Sequence, residues 1–126
     1  MFGSRKLLVC GYPEMQQQAF LLLLKKCGLS SAPVIFATNS DTQRTLKEIL
    51  ESDDRHGQGE VSDMKRAVIM SGFTQKELHT LMAAYRGSKL PTQHWATLTP
   101  VSESWAITDL LDELEAEAEA IRKKRP

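Results

Sequence analysis

Hydroxyls, glycines and aromatic rings gather at four points of the chain: Gly11-Tyr12, Thr38-Asn39-Ser40, Ser71-Gly72-Phe73-Thr74, and Thr97-Leu98-Thr99-Pro100 with Ser102 and Trp105 close behind. Each group follows a short apolar run and precedes a helical pattern. In an open parallel sheet such positions share the rim beyond the strand carboxyl ends, where ligands bind. Backbone amides at helix starts can hold a carboxylate or phosphate there. The same residues also have structural duties, since hydroxyls cap helices and glycines turn the chain. No catalytic residue is assigned. His56, His79 and His94 lack metal-ligand spacing with Asp53 and Asp54, and no metal is expected. His94 falls at the amino-terminal side of its strand, away from the rim hydroxyls, which argues against a triad. The chain has no GxGxxG and no GxxxxGK[ST], so no nucleotide cofactor is expected.

The elements that must position these groups are read from periodicity. Leu7–Cys10, Pro33–Thr38, Ala67–Met70 and Trp95–Leu98 are short runs suited to buried strands. Thr74 followed by Glu77 is a capping-box pattern, and Leu78, Leu81, Met82 and Tyr85 then recur on one helical face up to Gly87. Pro13 opens a helix that runs to Lys25-Lys26 and stops at Gly28. Asn39-Ser40-Asp41 supply caps for a helix bearing Leu46, Ile49 and Leu50. Thr99-Pro100 and Ser102 start the last helix, whose stripe is Ile107, Leu110, Leu111, Leu114, Ala118 and Ile121. Segment 52–65, SDDRHGQGEVSDMK, is charged and glycine-containing, and reads as a mobile connection.

Strand and helix alternating four times predict a single α/β domain of four βα units. The expected sheet is mainly parallel and four-stranded, in the order 2-1-3-4, with helices on its faces. The halves 1–51 and 66–126 read as a βαβα internal repeat, by duplication or by convergent packing of like units: Gly11 and Gly72, Tyr12 and Phe73, Leu46 and Ile107, Ile49 and Leu110, and Leu50 and Leu111 are all 61 positions apart. Phe36-Ala37-Thr38 answers Trp95-Ala96-Thr97 at 59, which implies one small gap.

With 126 residues and 41% hydrophobic composition the chain can bury one core without disulfide or metal staples. Sixteen basic and sixteen acidic residues balance, leaving no global field to draw nucleic acid or an anionic membrane. The longest apolar run, Leu21–Leu24, is far too short to span a bilayer. Cys10 and Cys27 do not form a CxxC pattern and read as reduced thiols, so a soluble cytoplasmic protein is expected. Within 115–126 an acidic-alanine stretch precedes Arg122-Lys123-Lys124-Arg125, an order that matches the helix dipole and reads as a solvated helical tail.

Met70-Ser71-Gly72-Phe73, Glu77-Leu78, Ala96-Thr97-Leu98-Thr99-Pro100, Trp105 and Leu110-Leu111-Asp112-Glu113-Leu114-Glu115 carry a resemblance. Over 67–117 the sequence resembles a small bacterial family, domain of unknown function 3783. The resemblance implies a short prokaryotic α/β domain and transfers no catalytic residue.

The leading functional expectation is a non-enzymatic interaction or regulatory module with a protein partner, or a second copy against the stripe of the last helix. A small-ligand or anion sensor at the rim is the alternative, and an enzyme of unknown class the lesser one.

Overall fold

The computed structural model describes residues 2–124. The elements are β1 (Lys6–Cys10), α1 (Glu14–Lys26), β2 (Val34–Phe36), α2 (Leu46–Leu50), β3 (Ala67–Ser71), α3 (Gln75–Arg86), β4 (His94–Thr97) and α4 (Ile107–Lys124), with 3-10 turns at Asn39–Asp41 and Ser102–Ser104. The capping box at α3 is closed: the Glu77 amide donates to Thr74 Oγ1 at 3.1 Å, and the Thr74 amide donates to Glu77 Oε1 at 3.0 Å. Thr45 and Glu48 repeat this arrangement at α2. The cap of α2 is therefore Thr45, while Thr38 and Asp41 close the preceding 3-10 turn. Likewise α4 opens at Ile107, and Thr99 bonds Ser102 across the turn before it.

The strands lie in the order β2-β1-β3-β4, as expected. The expectation of a mainly parallel sheet needs correction, because the sheet is mixed. β1–β2 and β3–β4 are parallel, but the central pair β1–β3 is antiparallel. The reason lies in segment 52–65. The last turn of α2 sits beside the start of β1, where Lys6 Nζ donates to the Leu50 carbonyl at 2.5 Å. A short connection from there would enter β3 parallel to β1.

Instead the segment climbs the outer edge of β2. Asp54 accepts from the Val34 amide at 2.8 Å, the Arg55 amide donates to Val34 O at 2.7 Å, and His56 O accepts from the Phe36 amide at 2.8 Å. Buried Gln17 then holds it through Gly59 and Glu60, and Asn39 receives the Asp63 amide at 2.9 Å. The expected mobile connection is thus laid along the sheet, and it delivers the chain to β3 at the opposite end.

The result is a two-fold pseudosymmetry. Leu8 faces Ile69 at the centre of β1–β3, and Thr45 faces Ala106 in an isolated antiparallel bridge, so each residue meets the one 61 positions later. Around that bridge the Leu46 amide donates to Trp105 O and the Ile107 amide to Arg44 O, both at 3.0 Å. The spacing holds through the outer strands too. Leu7–Val34 answers Val68–Trp95, so the gap inferred from an offset of 59 does not exist. Strand alternation sends Leu7, Val9, Val68 and Met70 to one face beneath α1 and α3. Leu8, Cys10, Ala67 and Ile69 go to the other face beneath α2 and α4.

Gly11 and Gly72 occupy equivalent turns at φ +76° and +67°. A Cβ on Gly11 would lie 2.5 Å from Met64 O, and one on Gly72 2.5 Å from Gly3 O, so each glycine lets the incoming chain of the other half pass close by. Gly72→Ala and Gly11→Ala should each lower stability by at least ~1–2 kcal/mol from the left-handed backbone alone, with the close contact adding to it. Urea midpoints of the two variants check this, and a change of a few tenths would show that the turns relax freely.

Candidate functional site

Because β1 and β3 run oppositely, the carboxyl ends of the strands do not share one rim. Gly11, Tyr12, Thr38, Asn39 and Ser40 lie at the end where β1 and β2 finish, together with the starts of β3 and β4. Ser71, Gly72, Phe73, Thr74, Thr97, Thr99, Pro100 and Ser102 lie at the opposite end. Most of their hydroxyls are engaged locally: Thr38 with Asp41, Ser71 with Ser4 O at 2.6 Å, Thr74 with the Glu77 amide, and Thr99 with Ser102. Trp105 joins neither set. Phe73 is buried on the α1–α3 face, whereas Trp105 is 36% exposed and bonds Leu46 of α2 on the other face. The single convergent rim is therefore replaced by two half-rims.

What the two-fold does bring together is a pair of arginine–aromatic contacts. Arg5, just before β1, lies 5.3 Å from the ring centroid of Phe73 in the other half. Arg66, just before β3, lies 3.7 Å over the ring of Tyr12. Both rings are buried, so the guanidinium planes roof the points where the halves meet. The polar partners differ. Arg5 donates to Glu77 through Nε at 3.0 Å and Nη2 at 2.6 Å. Arg66 meets Gln16 at the equivalent position, and its Nε and Nη2 donate to Tyr85 Oη at 3.2 and 3.1 Å. Among the described residues no carboxylate lies within ion-pair distance of Arg66. Sequence reasoning missed both arginines, although the spacing that matched Gly11 to Gly72 also matches Arg5 to Arg66 and Gln16 to Glu77.

Arg66 opens onto a cleft of about 480 Å³ shared with Lys65, Gln93, His94, Glu115 and Arg122. His94 Nε2 is 2.8 Å from Glu115, Arg122 pairs with Glu115 and Glu119, and Lys65 Nζ is 2.8 Å from Asp112. The His94 contact holds the Glu115 carboxyl below its ordinary value, with Arg122 adding to the effect. Gln93 Oε1 accepts from Tyr12 Oη at 2.5 Å, while its buried Nε2 has no partner. Elsewhere at this end Asp41 is buried. Burial alone would raise its carboxyl, but the Thr38 amide, Arg44 at 2.8 Å, the Thr38 hydroxyl and His56 at 3.4 Å outweigh that and hold it below the ordinary range. Cys10 is fully buried, and desolvation pushes its thiol up to about 12, so it is a poor nucleophile. No group of three metal-ligating side chains occurs among the described residues.

The two outer edges of the sheet also differ. The His94 amide donates to Arg66 O just before β3 and the Leu98 amide to Met70 O within it, so strand alternation turns the Trp95 and Thr97 amides outward. Their counterparts on β2, Val34 and Phe36, are bonded by Asp54 and His56. Trp95 and Thr97 amides have no such partner among the described residues, because α4 runs on as helix where the first half sends its chain back along the edge.

Residues 66–121 match the family model described as Domain of unknown function (DUF3783). This is the family that the sequence resembles. No curated protein and no solved structure matches the chain. The DUF3783 segment comprises β3, α3, β4 and most of α4, and so carries Arg66, Gln93, His94 and the open edge. Tyr12 and Gln16, which complete the surroundings of Arg66, come from the half that precedes it. No helix among the described residues is long and apolar enough to cross a membrane. The acidic-alanine part of the tail continues α4 to Lys124, and the expectation for Arg125 falls outside the described residues.

Two variants test this geometry. Trp105→Ala should cost about 1 kcal/mol or less, against the ~3–5 kcal/mol of a fully buried aromatic, as read by urea midpoint. Glu77→Gln should cost about 0.5–1 kcal/mol at neutral pH. The Arg5 guanidinium, with the Thr74 amide, holds the Glu77 carboxyl below its ordinary value. A depressed folded-state value stabilises above the unfolded-state value, and that stabilisation is lost as pH falls through the folded one. The gap between wild type and Glu77→Gln should therefore close on acidification, and a pH-independent gap would mean that the pair contributes only packing.

Proposed function

We propose that the protein is a non-enzymatic interaction module that receives an extended segment of a partner protein on the outer edge of β4. The observation that carries this reading is the difference between the equivalent edges. The chain covers β2 with its own residues 54–56, bonding Val34 and Phe36, and leaves the matching groups of Trp95 and Thr97 without partners. An uncovered edge is a template for strand addition: main-chain bonds provide affinity, and side-chain pockets beside the strand provide selectivity. Such a pocket flanks β4, a groove of about 200 Å³ between Trp95, Met82, Arg86 and Leu90. The free thiols of Cys10 and Cys27 suit a reducing compartment, the bacterial cytoplasm in this reading.

Amide hydrogen exchange tests the edge directly. Trp95 and Thr97 should exchange fast and Val34 and Phe36 slowly in the free protein. A partner captured from native lysate should then slow the two β4 amides. Thr97→Pro removes an outward amide without breaking a bond to β3, so the variant should fold, as circular dichroism would show, and lose the partner. A partner that binds while Trp95 and Thr97 still exchange freely, or that binds Thr97→Pro equally well, would overturn edge docking.

A further inference from the structure

We infer that the cleft at Arg66 binds a small carboxylate. The pseudosymmetry supplies an internal control. Both halves place an arginine over the other half's aromatic ring, and in one of them Glu77 neutralises Arg5 at 2.6 Å. At the matching position the second arginine meets the neutral amide of Gln16. A half-buried guanidinium bonded only to neutral groups keeps N–H donors that a carboxylate meets as a pair. Gln16 and Tyr85 take three of the five N–H groups of Arg66, and two remain for a ligand.

A second, independent feature sits beside it. Gln93 Nε2 is a buried donor without an acceptor, while Gln93 Oε1 accepts from the Tyr12 hydroxyl at 2.5 Å. A buried donor left unpaired calls for explanation, and a ligand oxygen supplies it once the Gln93 amide turns toward the cleft that it lines. Around these two groups the remaining acids exceed the remaining bases by one: Lys65 pairs with Asp112, and Arg122 with both Glu115 and Glu119, Glu115 also taking His94. With Arg66 the set is neutral, which disfavours a phosphate dianion against a carboxylate held by the paired N–H donors of one guanidinium. The cleft, at about 480 Å³, admits a small organic acid. This site does not rest on the β4 edge, because Arg66 and Gln93 line the cleft without a partner chain.

The experiment is an NMR titration of the full chain with acetate, inorganic phosphate and chloride, following the Arg66 Nε–H and Gln93 side-chain amide signals. Acetate should shift both with saturation, and chloride should not. Gln16→Glu supplies the missing acid within the chain. It stands in the first turn of α1, where a carboxylate suits the helix dipole, so the fold should persist. It should weaken acetate binding by about tenfold or more, while Gln16→Ala should change it by less than about threefold. Gln93→Leu removes the orphan donor and should weaken acetate as well. Saturation by phosphate alone, no saturable shift with acetate, or acetate binding unchanged in Gln16→Glu would each overturn the assignment.

Discussion

The antiparallel pairing of β1 with β3 is the constraint on which the remainder of the structure depends. Five residue pairs, from Lys6 opposite Ser71 to Cys10 opposite Ala67, put Leu8 beside Ile69 at their centre. Pairing two equivalent strands about their midpoints rotates one half onto the other, and everything attached to those strands follows. α1 and α3 fall on one face and α2 and α4 on the other, and the Thr45–Ala106 bridge closes the seam between the second and fourth helices. Either half alone would expose one edge of its first strand, and the pairing satisfies both edges at once.

The same rotation creates cross-half contacts that neither half contains. Each incoming chain passes the tight glycine turn of the other half and lays its arginine on the aromatic ring that follows that glycine. Gly11-Tyr12 and Gly72-Phe73 are thus seam residues, close enough to a neighbouring backbone that a side chain on the glycine would meet it. Against this shared frame, single differences stand out. Glu77 in one half and Gln16 in the other decide which arginine is neutralised.

The halves also diverge in where the chain goes after the second helix. After five helical residues in α2 the first half returns along β2 and saturates its edge, whereas α4 continues for eighteen and leaves the edge of β4 open. α2 and α4 start at equivalent positions and share their buried triplets, Leu46, Ile49 and Leu50 against Ile107, Leu110 and Leu111. The difference arises past these triplets. α2 stops at Leu50, and Ser52-Asp53-Asp54 with the glycines at 57 and 59 offers no sequence to extend it, while Leu114, Ala116, Ala118 and Ala120 sustain α4. Asymmetry at the edges is therefore written in local helix propensity, and its consequence is felt on a strand far away in sequence.

The sequence by itself determined what short-range physics decides. Apolar runs marked all four strands, and Thr74 with Glu77 marked the start of α3. The offset between Gly11 and Gly72 marked the repeat, and the order 2-1-3-4, expected for a truncated parallel sheet, is the order found. Only the tertiary structure decided the direction of β3, and with it the fate of the candidate rim. That direction depends on the path of 52–65, whose backbone bonds to β2 and to buried Gln17 leave no apolar periodicity to read. Reversing β3 carries Ser71, Phe73 and Thr97 to the end opposite Gly11, Tyr12 and Thr38. It also sets Arg66 against Tyr12, Gln16 and Gln93, residues distant in sequence that meet because the central strands run in opposite directions.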